Sequence, residues 1–207
     1  MGNMAKGCAL FGGALLVLLL LLGGCGVSKY NSMVAGQESV EGAWSGIQNQ
    51  YKRRFDLVPQ LVETVKGAAN FEKSTITAVT EARASVGKLQ MPEGLPEDPA
   101  ALEAYVKAQS KLGSSLSRLL LVAENYPNLK ASQNFLGLQD QLEGTENRIA
   151  VARKDYIDTV RSYNTTIRKF PNNFIASSFD FQKVPQLEFD DDVQEVPSVD
   201  FNFDNKD

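Results

Sequence analysis

The chain has 207 residues, 43% of them hydrophobic and 22% charged, with a formal net charge of −4. That is an ordinary globular composition at a length that suits one domain with extensions, and the negative balance argues against a general nucleic-acid binder, whose work needs a basic surface. There is no histidine, which excludes His-based acid–base catalysis, Ser-His-Asp and Cys-His nucleophilic sites and His-containing metal sites.

Both cysteines, Cys8 and Cys25, lie near the N-terminus, so the body holds neither a disulfide framework nor a CxxC zinc site. Charge is unevenly placed. From residue 180 onward nine acids face two lysines, a net of −7 that leaves +3 for the preceding residues.

Residues 7–28 carry no charge. As a helix, 22 residues would reach about 33 Å, enough to cross a hydrocarbon core of about 30 Å. Lys6 precedes the run and Leu22-Gly23-Gly24-Cys25 closes it. Two readings follow. In one, the segment is a lipoprotein-type signal, cleaved so that Cys25 becomes a lipid-bearing N-terminus. In the other, it is a retained single-pass helix. Both place the protein on a membrane.

The body reads as helix. Met33, Gln37, Val40, Trp44, Ile47, Tyr51, Phe55 and Val58 recur at steps of three and four, one stripe along a helix. Pro59 predicts a break at residues 57–59, with Asp56 as N-cap of the next helix. That helix is expected over 60–89, with an inner face of Leu61, Val65, Ala68, Ile76 and Val79 and a local irregularity at Asn70-Phe71. Three prolines and a glycine make 91–100 a loop. A third helix starts at Asp98 or Pro99, carries Leu102, Tyr105, Gln109, Leu112, Leu116, Leu119 and Ala123 on one face, and ends at Pro127. The fourth and longest covers 132–169, with a stripe from Phe135 through Leu142, Ile149, Tyr156 and Tyr163 to Phe170, and Pro171 stops it. Its near-heptad spacing predicts shallow packing angles. Beyond Pro171 no helical stripe is visible. The chain is expected to pack back on the helices as far as about Phe181 and then to run extended and mobile.

These elements define an all-α fold, an elongated antiparallel bundle of about four long helices. Residues 1–28 form the anchor, 29–175 the helical body and 176–207 an acidic tail.

Several blocks resemble the LemA family. They are AWSGIQNQYKRRFDLVPQLVETVKG (43–67), EKSTITAVTEARA (72–84), ENYPNLKASQNFLGLQDQLEGTENRIAVARKDY (124–156) and YNTTIRKFPNN (163–173), with KYNSMV (29–34) fitting as well. They occur in the family's order and cover most of 29–175. The resemblance implies a membrane-anchored, elongated helical protein of bacteria with no established enzymatic activity, and a partner such as a membrane peptidase. The acidic tail has no counterpart in it.

Arg53, Arg54 and Asp56 beside Pro59, and Glu124, Asn134, Glu146, Asn147, Arg148 and Arg153 in the other blocks, are candidates for a partner surface. Their plainer role is as caps and interhelix ion pairs, Arg54 with Glu146 or Glu124 in particular. Trp44, Tyr51, Tyr126 and Tyr163 would either line an aromatic groove or, since two fall on the apolar stripe, fill the core. Asp190-Asp191-Asp192 lacks the spaced ligands of an EF-hand. Glu63 and Glu124 are the paired carboxylates an enzyme would need, but nothing in their spacing supports that role. The 196–203 segment would suit strand addition to a partner. No phosphate-loop, dinucleotide or nucleophile-elbow motif is present. The expectation is a non-enzymatic, membrane-tethered scaffold or adaptor of the cell envelope, without catalytic residues, cofactor or metal. A module binding a small molecule or lipid between its helices is the alternative.

Overall fold

The computed structural model describes residues 2–68, 70–89, 94–96 and 98–187; the side chains of 2–12, 14, 15, 17–19 and 22 lie outside the described set. Among the described residues the chain is largely helical, without strands. The helices are α1 (Gly2–Lys66), α2 (Lys73–Lys88), α3 (Pro99–Ala123), the single turn α4 (Pro127–Lys130), α5 (Gln133–Arg168) and α6 (Asn172–Ser178).

The most extensive packing is between α1 and α5, and the next between α2 and α3. The first pair is antiparallel: Gly36 faces Tyr163, Trp44 faces Tyr156, Tyr51 faces Arg153 and Arg54 faces Glu146. A Cβ on Gly36 would stand 3.2 Å from the Tyr163 ring, so the absent side chain is what lets the ring in. The second pair is an antiparallel hairpin. Tyr126, just after α3, donates its hydroxyl to the Asn70 carbonyl before α2 at 2.9 Å and packs on Phe71 at 4.8 Å between ring centroids.

The predicted stripes form the core. Met33, Val40, Trp44, Ile47, Tyr51 and Val58 of α1 are buried, as is the whole third-helix set from Leu102 to Ala123 and most of the α5 set. Each large apolar side chain removed from water contributes about 1.5–3 kcal/mol, so the interlocking stripes are the main source of stability. Asp98 caps α3 as expected, its carboxylate accepting from the Ala100 amide at 2.9 Å.

Two expected boundaries are corrected. α1 passes through Pro59 without ending, and Asp56 is no cap but a mid-helix residue paired with Lys52 at 3.2 Å. A helical proline orphans the carbonyl four residues back, here that of Phe55. Arg83 on α2 answers it: its Nε donates to the Phe55 oxygen at 3.3 Å while its guanidinium lies 3.9 Å from the Phe55 ring centroid. The Pro59 side chain faces solvent, so its ring takes no space from the core. The real interruption comes later, between Lys66 and Lys73, where the residue pattern predicts only a local irregularity within one helix. Asn70 there takes φ 63°, a left-handed conformation that Asn tolerates better than most residues.

The C-terminal part is more structured than expected. α6 follows α5 directly, and residues 181–187 continue as an extended strap whose packing reaches past Phe181 to the buried Val184 and Leu187. Asn164 clamps the strap from both sides, donating Nδ2 to the Val184 carbonyl at 2.8 Å and accepting from the Val184 amide at 3.0 Å. Tyr156 donates to the Pro185 carbonyl at 3.2 Å. Phe170, expected as the last core member of its stripe, lies past the end of α5 and is 80% exposed.

Residues 188–207, including Asp190-Asp191-Asp192 and the 196–203 segment, lie outside the described residues. Among the described residues no helix is long and apolar enough to cross a membrane; the expected anchor, 1–28, falls largely on residues whose side chains are outside that set.

Arg83→Ala is expected to lower unfolding stability by about 1–2 kcal/mol in urea titrations. The loss should shrink in a Pro59→Ala background, where residue 59 regains the N–H that the Phe55 carbonyl lacks. Equal losses in the two backgrounds would show that Arg83 does not answer the proline.

Candidate functional site

The candidate polar residues divide into a buried knot and an exposed face. Arg54 is the centre of the knot. It occupies α1 one turn after Tyr51, on the stripe side, and is only 1% exposed. A guanidinium loses its hydration on burial and must find charge and acceptors inside. One terminal nitrogen donates to Glu146 on α5 at 2.7 Å. The other donates to both the main-chain carbonyl and the side-chain Oε1 of Gln109 on α3, at 2.8 and 2.6 Å. Its Nε is buried without a hydrogen-bond partner. Room for the group comes from Gly113, where a Cβ would stand 3.1 Å from the Arg54 terminal nitrogen.

The knot extends through aromatic rings. Gln109 donates its amide to the Tyr105 hydroxyl, and Tyr105 meets Tyr51 edge-on at 5.6 Å. The Tyr51 hydroxyl accepts from Nε and Nη2 of Arg153 at 2.8 and 2.6 Å. The guanidinium carbons of Arg54 and Arg153 lie 5.3 and 5.4 Å from the Tyr51 ring centre, in cation–π range. One polar layer therefore ties α1, α3 and α5. Of the two acids expected for Arg54, Glu146 takes the pair. Glu146 is half-exposed, so the bridge is buried at one end and wet at the other.

Burial raises the Tyr51 phenol, an effect partly offset by Arg153, and pushes Tyr105 up to about 12. Desolvation also raises Tyr156 and Tyr163.

Arg53, Asp56 and Arg148 are exposed. Arg53 and Asp56 line a depression with Asn49, Gln50 and Gln141. Arg148 lines its neighbour with Gln50, Asn147 and Asp155. Gln50 lines both, so the two shallow depressions adjoin along the groove between α1 and α5. Glu124 and Asn134 stand apart: both are exposed, at the end of α3 and the start of α5, and Asn134 is twelve residues, about 18 Å of helix, from Glu146. The aromatic groove is not assembled. Trp44, Tyr51 and Tyr163 are core residues, and Tyr126 serves the α2–α3 hairpin. Glu63 pairs with Lys66 at 2.8 Å.

A model of the LemA family matches residues 43–201. The chain belongs to the LemA family. This LemA-family chain is 26% identical over 158 residues to Protein LemA of Metamycoplasma hominis, across 76% of this chain and 68% of that protein. It is 24% identical over 172 residues to Magnetosome protein MamQ of Magnetospirillum gryphiswaldense. With Magnetosome protein MamQ 2 of Paramagnetospirillum magneticum it shares 25% identity over 171 residues. Each of these two matches takes in 75% of this chain, which spans 63% of the length of each MamQ protein.

Sequence patterning marks Arg54, Glu146 and Arg153 and offers the Arg54–Glu146 pair, but not Gln109 or the Tyr51 hydroxyl as partners. Gln109 was visible as the one polar member of the third-helix stripe, the signal that a buried amide answers a buried charge. Asn164 and Arg83 gave no comparable signal.

Glu146→Ala strips the buried guanidinium of its counter-charge and is expected to cost about 2–3 kcal/mol, with Glu146→Gln, which keeps an acceptor, costing less; urea midpoints measure both. The raised tyrosines keep their protons in the folded chain at a pH where the unfolded chain, with an ordinary value of 10.0, loses them. Their contribution is complete below pH about 10 and is lost as pH climbs through the folded values. Unfolding midpoints should fall above pH about 10, and Tyr105→Phe should flatten part of that fall.

Proposed function

We propose that this protein is a membrane-tethered helical scaffold or adaptor of the bacterial cell envelope, acting by contact and catalysing no reaction. In this reading the helices form an elongated antiparallel bundle that stands on an anchored leading end. The supporting observation is the continuity of α1: one helix runs from Gly2 to Lys66, so the charge-free segment and the buried stripe of the body share a single rod. The leading end is held either by lipid on Cys25, which is exposed, or as a retained span. Confinement to a surface raises the effective concentration of the body near its partners. The groove carrying Arg53, Asp56 and Arg148 is the partner face, and an envelope protein such as a membrane peptidase is the partner class. Relatives named for LemA in one organism and for the magnetosome in others fit a structural module reused in different assemblies.

A second reading, a module holding a small apolar or lipid molecule, draws on a depression of about 290 Å³ between α3 and α5, lined by Gly113, Leu116, Leu120, Leu142 and Glu146 among others. It sits just under the usual range of about 300–1,000 Å³ for ligand sites. A thermal shift with extracted envelope lipids would favour it over the scaffold.

Proximity labelling from the intact membrane-bound chain is expected to enrich a defined set of envelope proteins. Arg53→Glu with Arg148→Glu should reduce that enrichment several-fold while leaving helicity unchanged. An unchanged neighbour set would remove the groove from the reading, and turnover of a substrate by pure protein would overturn the scaffold itself. Mass analysis of the mature chain assigns the anchor.

A further inference from the structure

We propose that the end of the body nearest the leading segment is a second membrane contact: an aromatic and basic collar that beds into the headgroup layer of an anionic bilayer. The proposal rests on the reading that the leading segment is seated in a membrane.

The collar joins two elements distant in sequence. Phe170 and Phe174, at the turn from α5 into α6, meet edge to face at 6.0 Å. Phe179, just past α6, packs on Tyr30 of α1 at 4.9 Å. These phenylalanines are 80%, 64% and 61% exposed, and Val27, three residues before Tyr30 on α1, is 62% exposed. Among the described residues, the aromatic rings elsewhere in the body are largely covered, so three uncovered phenylalanines at one corner call for an apolar neighbour.

Their level identifies that neighbour. α1 and α5 are antiparallel with Gly36 against Tyr163. Continuing both helices at equal rise sets Arg168, the last residue of α5, opposite about residue 31, and the Phe179 contact on Tyr30 holds the corner at that level. The charge-free run ends at Ser28. The collar thus falls where a retained span would leave the hydrocarbon, and also within about 8 Å of helix from a lipidated Cys25. Aromatic rings and basic side chains are the groups that settle at this depth.

Charge complementarity completes the case. Residues 1–37 and 159–179 contain no Asp or Glu. Lys29, Arg168 and Lys169 are exposed, facing the level at which anionic lipid phosphates lie. Asp180, the acid that follows the corner, has its carboxylate bonded by the Gln182 amide at 2.9 Å, and Lys183 lies beyond it.

The test uses the full chain with Phe174→Trp, reconstituted into phosphatidylcholine vesicles with and without phosphatidylglycerol, prepared with ordinary or brominated acyl chains. Native Trp44 is the internal reference: it is 1% exposed and about 24 Å of helix from Ser28. The expected result is blue-shifted emission and quenching by brominated lipid at least about two-fold above that of the wild type, as for a ring at the interface. Quenching should weaken without phosphatidylglycerol and when Lys29→Glu, Arg168→Glu and Lys169→Glu are added. A chain that floats with vesicles while the introduced indole stays unquenched overturns the collar alone. A chain that does not float overturns the membrane reading and the collar with it.

Discussion

The fold turns on one buried cation. Arg54 is sealed in the interior, and a guanidinium there is tolerable only while each terminal nitrogen keeps its acceptors. Those acceptors come from different helices, Gln109 on α3 and Glu146 on α5. Apolar stripes alone allow helices to slide by a turn at modest cost, since one aliphatic contact resembles the next. A fork of directed hydrogen bonds does not. The polar layer therefore fixes the rotation and height of α1 against both neighbours, and Tyr51, Tyr105 and Arg153 extend the same constraint around it. The half-exposed Glu146 lets water reach the anionic end, which reduces the desolvation that makes fully buried pairs unfavourable.

The all-helical fold and its inner faces were legible because packing follows a period that the side chains spell out. Steps of three and four from Met33 to Val58, and from Leu102 to Ala123, mark residues most of which are buried. The chain breaks were less legible because a break is decided by what surrounds it. Pro59 has strong local meaning as a helix breaker, yet α1 continues because a side chain 28 residues away in sequence satisfies the Phe55 carbonyl. Conversely, the stretch around Asn70 looked like a minor fault and is the true turn, held by a Tyr126 hydroxyl from beyond the next helix. Local propensity sees neither partner.

The same limit applies to the site. Arg54 and its acid were within reach of sequence patterning because opposite charges beside buried stripes are few. Asn164 was not. It reads as one more polar residue within a long helix, and its two bonds to Val184 exist only because the chain returns as a strap. Phe170 fails in the other direction: it has the right spacing for the core stripe, but α5 ends before it, and a residue outside the helix no longer obeys the period.

The uninterrupted course of α1 has a mechanical corollary. From Ser28 to Lys66 it forms a lever of roughly 57 Å at about 1.5 Å per residue. A change of inclination of about 10° at its foot would carry the far tip sideways by roughly 10 Å. Arg83 braces this lever at the Phe55 carbonyl that Pro59 leaves without its helical partner, which stiffens the point where a proline would favour a bend.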